Sequence, residues 1–267
     1  IQLSNTTGYS TRIINAGLIQ NNGFEAVLHL TPVKNTKGLT WDVDVNWSAN
    51  RSTVKELYTD PQSGQEINSY VMASQYVTVE ARVGERMGAM YGIGFVRVSA
   101  DPASKYYDKT GEHVGEIVYS SNGKPLATTE RIKLGNYNPD WLAGLRNTLS
   151  YKGLSLSVLF DHRQGGKIYS HTQTVGREGG IIIETLEGRA DGYDLTKEGN
   201  GVIGDGVVQN ADGTFSDNTT KLSAREWHTS ITLGRRLIEP MMYDATFTKL
   251  REVQFSYTLP NKLTSKL

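Results

Sequence analysis

The chain has 267 residues, 28 basic and 28 acidic side chains, 37% hydrophobic residues, 28 glycines and no cysteine. That length holds one or two domains, and the even charge argues against a nucleic-acid partner, which demands a basic stripe. Without cysteine there are no disulfides and no thiolate metal sites, and no apolar run is long enough for a membrane helix. A membrane barrel stays open, because only alternate residues of its strands face lipid. Ile1 begins mid-pattern, with no initiator Met, basic region or apolar leader before it, so we expect an internal fragment.

Strand signals begin with Phe24, Ala26, Leu28 and Leu30, which share a face opposite Glu25, His29 and Thr31. The clearest segment is Leu39 to Asn50, where Leu39, Trp41, Val43, Val45, Trp47 and Ala49 alternate without error with polar residues. At roughly 3.3 Å per residue and a tilt near 40°, it rises about 30 Å, enough for an apolar membrane band. Tyr70 to Val83 also alternates, and a glycine-rich stretch, Gly88 to Phe95, follows. We read these as a hairpin above a barrel, with two further wall strands as the alternative.

Leu145, Leu149 and Tyr151 oppose Arg146, Thr148 and Ser150, although Asn147 falls on the apolar face. Leu154, Leu156, Val158 and Phe160 oppose Ser155, Ser157 and Asp161, with Leu159 as the exception. Val253, Phe255, Tyr257 and Leu259 oppose Glu252, Gln254 and Ser256. Lys34 to Gly38, Lys152-Gly153 and Pro260-Asn261 are short turns, whereas roughly 80 to 90 residues separate Asn50 from Trp141 and Arg163 from Ala245. Loops that long are unusual in a compact soluble domain, and short turns at one rim with long loops at the other are the habit of outer-membrane barrels. Trp41, Tyr151 and Tyr257 lie near short turns on the apolar face, so we expect a lipid-interface girdle there, against the plainer reading of core aromatics in a soluble sandwich.

Four blocks carry a family likeness: Asn15 to Glu25 (NAGLIQNNGFE), Leu39 to Asn50 (LTWDVDVNWSAN), Gly135 to Ser170 (GNYNPDWLAGLRNTLSYKGLSLSVLFDHRQGGKIYS) and Tyr243 to Pro260 (YDATFTKLREVQFSYTLP). In order and spacing the chain resembles the SusC/RagA family of TonB-linked outer-membrane transporters. The resemblance implies an all-β fold, part of a 22-stranded antiparallel transmembrane barrel with long extracellular loops. It implies that residues 1–267 are a fragment of the barrel, placed just before its last two strands, without the plug domain and those closing strands. It further implies import of an oligosaccharide or peptide across the outer membrane of a Bacteroidetes-type cell. The implied partners are a SusD-like surface lipoprotein, outer-membrane lipid, and the TonB complex acting through an absent N-terminal region.

Among chemical motifs, Gly199 to Gly204 matches GxGxxG, but neither a preceding strand nor a following helix is indicated, so a surface loop is expected. Asp191, Asp194, Asp205, Asp212 and Asp217 cluster in the second long segment; Ca²⁺ is the one cofactor considered, but Asp-Gly turns explain the cluster more simply. His29, His113, His162, His171 and His228 show no metal-ligand spacing, and there is no nucleophile elbow, so neither a metal site nor an enzyme is expected. Ligand-facing candidates are Asp42, Asp44, Asn46, Arg146, Asp161, Arg163 and Glu252 on polar faces, and Trp141, Tyr70, Tyr76, Tyr106 and Tyr107 in or beside loops. Aromatic faces suit sugar rings, and carboxylates and amides bond hydroxyls; the plainer reading is that such residues hold water or pack locally. The alternative to a transporter is a secreted, soluble β-rich glycan-binding or adhesin module.

Overall fold

Alternation builds the strands the sequence indicates and carries several of them further. The computed structural model describes residues 17–35, 37–59, 64, 66–190 and 194–260, with 6 and 8. Asn15 and Ala16 of the first family block, Asp191 of the acidic cluster and Asn261 of the final turn lie outside the described residues.

In chain order, β1 (Leu18–Lys34) and β2 (Leu39–Glu56) precede β3 (Ser69–Ser74), β4 (Thr78–Arg82), β5 (Ala89–Gly92), β6 (Val118–Tyr119) and β7 (Ile132–Asn136). Then come β8 (Trp141–Tyr151), β9 (Leu154–Gln164), β10 (Lys167–Tyr169) and helix α1 (His171–Gly179). The second long segment continues through β11 (Val202–Ile203), β12 (Val207–Gln209), β13 (Phe215–Asp217), β14 (Lys221–Leu222), α2 (Ala224–Ser230) and β15 (Met242–Asp244) to β16 (Phe247–Tyr257).

Five long strands form one antiparallel sheet in the order β1-β2-β8-β9-β16. The β3–β4 hairpin is not part of it; with β5 and β7 it forms a separate four-stranded sheet, so the stretch expected as one hairpin from Tyr70 to Phe95 holds three antiparallel strands, β3, β4 and β5, none of them in the five-stranded sheet. A bulge after Val71 and the turn at 75–77 interrupt what the sequence presents as one alternating run. The upper end of β2 is tied to that sheet, with Val54 N–H donating to Glu85 O and Gly84 N–H to Val54 O.

Fully buried apolar side chains lie in the long segments rather than in the five-stranded sheet, Val54 at its upper end excepted. Val98, Val118 and Val207 form one cluster, with Val96, Tyr106, Leu126 and Phe215 packed on it. Its frame is a parallel pairing of β6 with β12, which joins the two long segments to each other. Leu237, Ile238 and Met241 are 1–2% exposed, and Ile238 N–H donates to Ile93 O. The glycine-rich stretch is there for this approach: a Cβ on Gly92 would stand 2.8 Å from Leu134 and 2.9 Å from Ile238. Helix α2 starts with a capping box, Ser223 and Glu226 satisfying each other's backbone N–H groups.

Leu237→Ala should lower the local opening free energy of this loop assembly by about 2–5 kcal/mol. Leu186→Ala, at a side chain 64% exposed, should change it by under about 0.5 kcal/mol. Amide hydrogen exchange on the full-length protein checks both.

The Asp108 loop should be acid-labile. Backbone N–H donation from His113 and Thr110, with the Thr110 hydroxyl, holds the Asp108 carboxyl down to about 2 from an ordinary 3.8. The stabilisation is therefore complete above pH about 4 and is lost as pH falls through about 2. Amide protection at Thr110 and His113 should fall across that window, and in Asp108→Asn the fall should be absent.

Candidate functional site

The five-stranded sheet has two faces, set by its register. Asp42, Asp44 and Asn46 stand opposite Thr148, Arg146 and Gly144 of β8, which stand opposite Ser157, Leu159 and Asp161 of β9. Glu252 of β16 completes the row against Leu159. Six of the sequence candidates, Asp42, Asp44, Asn46, Arg146, Asp161 and Glu252, thus share one polar face, and Arg163 lies at its upper end opposite Leu142. Leu159 is on this face too, as its parity requires.

Side-chain hydrogen bonds form two groups on this face, one between β1 and β2 and one among β8, β9 and β16. Thr31 donates to Asp42 (2.8 Å), and His29 meets Asp44. Arg146 donates to Ser157 and to Glu252, both at 3.1 Å, and Arg251 to Asp161 at 2.6 Å. These charges are roughly 40% exposed, and such pairs contribute about 0–1 kcal/mol each. Their effect is to fix a pattern of alternating charge, not to hold the sheet together. Arg163 is half committed to the rim, where its guanidinium donates to the Tyr137 carbonyl. Nearby, the hydroxyl and N–H of Thr246, with Lys167 beside them, hold the Asp244 carboxyl below the usual range.

Gly144 makes a dent in this face. A Cβ there would collide with the Asn46 amide. The depression, about 500 Å³, is bordered by Glu25, Asn46, Asp161, Arg163, Phe247 and Arg251. It offers both signs of charge, an amide and the aromatic rings of Phe247 and Trp47.

The opposite face is apolar and uncovered. Phe24, Leu28, Leu145, Leu149, Leu156, Phe160, Val253 and Phe255 are all more than a third exposed. Asn147, the polar exception here, accepts a 3.3 Å hydrogen bond from the Trp41 indole. Tyr151, Leu154 and Tyr257 form one rung at the short-turn end, with Trp41 one rung above beside Leu149.

Trp141 lies apart from these candidates. Sequence reading set it among the ligand-facing residues, but in β8 its parity is that of Leu145 and Leu149. It stacks on His162 at 4.7 Å and lies 6.4 Å from Trp47, which in turn lies 5.9 Å from Phe24. These rings form a second aromatic row at the loop end of the apolar face. From the Leu39 rung to Trp47 is about 27 Å of strand, or about 20 Å of height at a 40° tilt, close to the apolar band of an outer-membrane barrel.

Other sequence candidates separate. Tyr106 packs on the Val98 cluster, and Tyr70 lies exposed on edge strand β3. Gly199 to Gly204 leads into β11 with no helix following, so it is no nucleotide loop. Asp194 and Asp212 each accept from the N–H and hydroxyl of the threonine two residues on. Among the described residues no three His, Asp or Glu side chains gather as a metal site.

Arg251 and Lys249 were missed. A register shift between Leu250 and Glu252 turns Lys249 toward Asp161 and frees Arg251 to reach the same carboxylate. The adjacent pair Arg251-Glu252 breaks strict alternation, and that is the signal that could have found the bulge.

No protein-family model matches the chain. It is 24% identical over 276 residues to TonB-dependent receptor P3 of Formosa agariphila, covering 97% of this chain and 24% of that protein. It is 26% identical over 187 residues to TonB-dependent receptor P26 of the same organism, covering 64% of this chain and 17% of that one. Among solved structures, the RagAB peptide transporter superposes over 99% of this chain and 26% of its own, with a TM-score of 0.59 at 16% identity. The resemblance to TonB-linked outer-membrane transporters therefore stands, and the fold is the all-β fold of such a barrel. The chain spans about a quarter of the length of TonB-dependent receptor P3.

The two faces should respond oppositely to charge. In full-length protein refolded into bilayers, Val43→Arg should cost about 2–4 kcal/mol. Asp44→Asn should cost under about 1 kcal/mol, because it loses only an exposed pair. Equal costs, or a larger one at Asp44, would mean that the faces are inverted or that the strand is not in a membrane wall.

Proposed function

We propose that this chain forms part of the wall and extracellular loops of an outer-membrane barrel that imports a nutrient under TonB drive. The observation that carries the reading is the uncovered apolar face of the sheet, backed by a charged, hydrogen-bonded one. Lipid satisfies the first and a water-filled lumen the second. The similarity to TonB-dependent receptors supports it. A soluble glycan-binding module would leave that apolar face in water, where exposed patches of such size mark an interaction surface. The proposed partners are the TonB complex and a SusD-like surface lipoprotein.

The substrate we propose is an oligosaccharide. A peptide is the second reading, favoured by the mixed charges around the Gly144 depression, which suit a zwitterion. The solved structure of similar fold is named a peptide transporter. No hydrolytic role is proposed for the carboxylates, which are engaged by Arg146, Arg251, His29 and Thr31.

A deletion strain should lose growth on one class of oligosaccharide and recover it with the full-length gene, but not with one lacking the TonB-contacting segment. Lost growth on peptides alone would select the second reading. Undiminished growth on every glycan and peptide offered would contradict the import reading itself.

A further inference from the structure

The two long segments meet in an aromatic cup that the polar face does not include. Tyr76, at the turn of the β3–β4 hairpin, stacks on His171 with ring centroids 4.2 Å apart and planes 17° from parallel. Tyr169, at the end of β10, leans in at 6.2 Å from Tyr76 and 6.3 Å from His171, tilted 39–40°. The rings are held from behind. The Tyr169 hydroxyl bonds Thr174 at 2.9 Å, and His171 is the first residue of α1, whose N-terminus Ser170 caps. The cavity they enclose with Ser74 and Gln75 is about 410 Å³, and no Asp, Glu, Lys or Arg lines it. His171 Nδ1 is buried with no hydrogen-bond partner among the described residues.

A cavity of that size with aromatic walls and a few convergent polar groups is what a small-molecule site looks like. Ring faces suit the C–H faces of a sugar ring, and the Gln75 amide and the Ser74 hydroxyl suit its edge. The lining itself carries no charge, unlike the Gly144 depression, and the Arg235 guanidinium that reaches Tyr76 is already paired with Glu178 at 2.8 Å. We propose that the Tyr76–Tyr169–His171 cup is a capture subsite for one neutral pyranose unit of an oligosaccharide. It deepens the oligosaccharide reading above and rests on it.

The test is calorimetric titration of the full-length protein in nanodiscs with neutral tetra- to hexasaccharides of glucose, mannose, galactose and xylose, and with short peptides in parallel. At least one oligosaccharide should bind. Tyr76→Ala should weaken it by about tenfold, while Tyr76→Phe, which keeps the ring, should stay within about threefold. Tyr169→Ala tests the opposite wall should Tyr76→Ala fail to fold. Binding of peptides only, no oligosaccharide binding, or unchanged affinity in a folded alanine variant overturns the cup. Any of these with TonB-dependent growth intact leaves the import reading standing; growth without TonB sinks that reading whatever the cup binds.

Discussion

Period-two geometry sends adjacent side chains to opposite faces, and on this sheet it leaves an apolar face that nothing among the described residues covers. Burying one large aliphatic or aromatic side chain is worth about 1.5–3 kcal/mol. Phe255 is 69% exposed and Phe24 65%, so in water this stabilisation is forgone repeatedly along one surface. Lipid recovers it. The backbone then has to satisfy itself, and the five strands do so by a continuous antiparallel pairing interrupted only by bulges in β1 and β16. The polar face contributes little by comparison, because its ion pairs are half exposed. Its role is to present charge.

The long segments obey the opposite rule. They sit beyond the ends of the wall and are built like a soluble domain, with Val98, Val118, Val207, Leu237 and Ile238 inside. Neither segment closes its core alone: β6 comes from the first and β12 from the second, and Ile238 docks on Ile93. Coupling the two fixes the aromatic cup, whose rings come from both. Loops of roughly 80 to 90 residues can thereby hold a shaped surface instead of a flexible fringe.

The wall was legible because alternation reports directly on its two environments. Leu39 to Asn50 reads without error, and the register returns the same faces. Apparent errors have causes: Asn147 is satisfied by Trp41, and the alternation breaks at Arg251-Glu252 where a bulge shifts the pairing. For Trp141, proximity to a loop was weighed above its parity with Leu145, which sets it in β8 on the apolar side. In the long segments pattern reading fails for a physical reason. Pieces such as β6 and β11 are two residues long, too short for any period, and their positions are set by contacts between distant segments. The glycines at 92 and 94 were visible as a stretch, but the close approach they allow was not. The cup could not be read at all, since Tyr76 and His171 lie 95 positions apart and meet only through the fold.

The most direct measurement of the account is site-by-site solvent exposure along the wall. This stretch has no cysteine, so single cysteines can be introduced at Val43, Asp44, Val45, Leu145, Arg146 and Val158 of the full-length protein and spin-labelled in bilayers. Labels at 43, 45, 145 and 158 should be relaxed by oxygen dissolved in lipid, and labels at 44 and 146 by a water-soluble nickel complex. Access of the nickel complex to all six, or no difference between neighbours, would contradict a two-faced membrane wall.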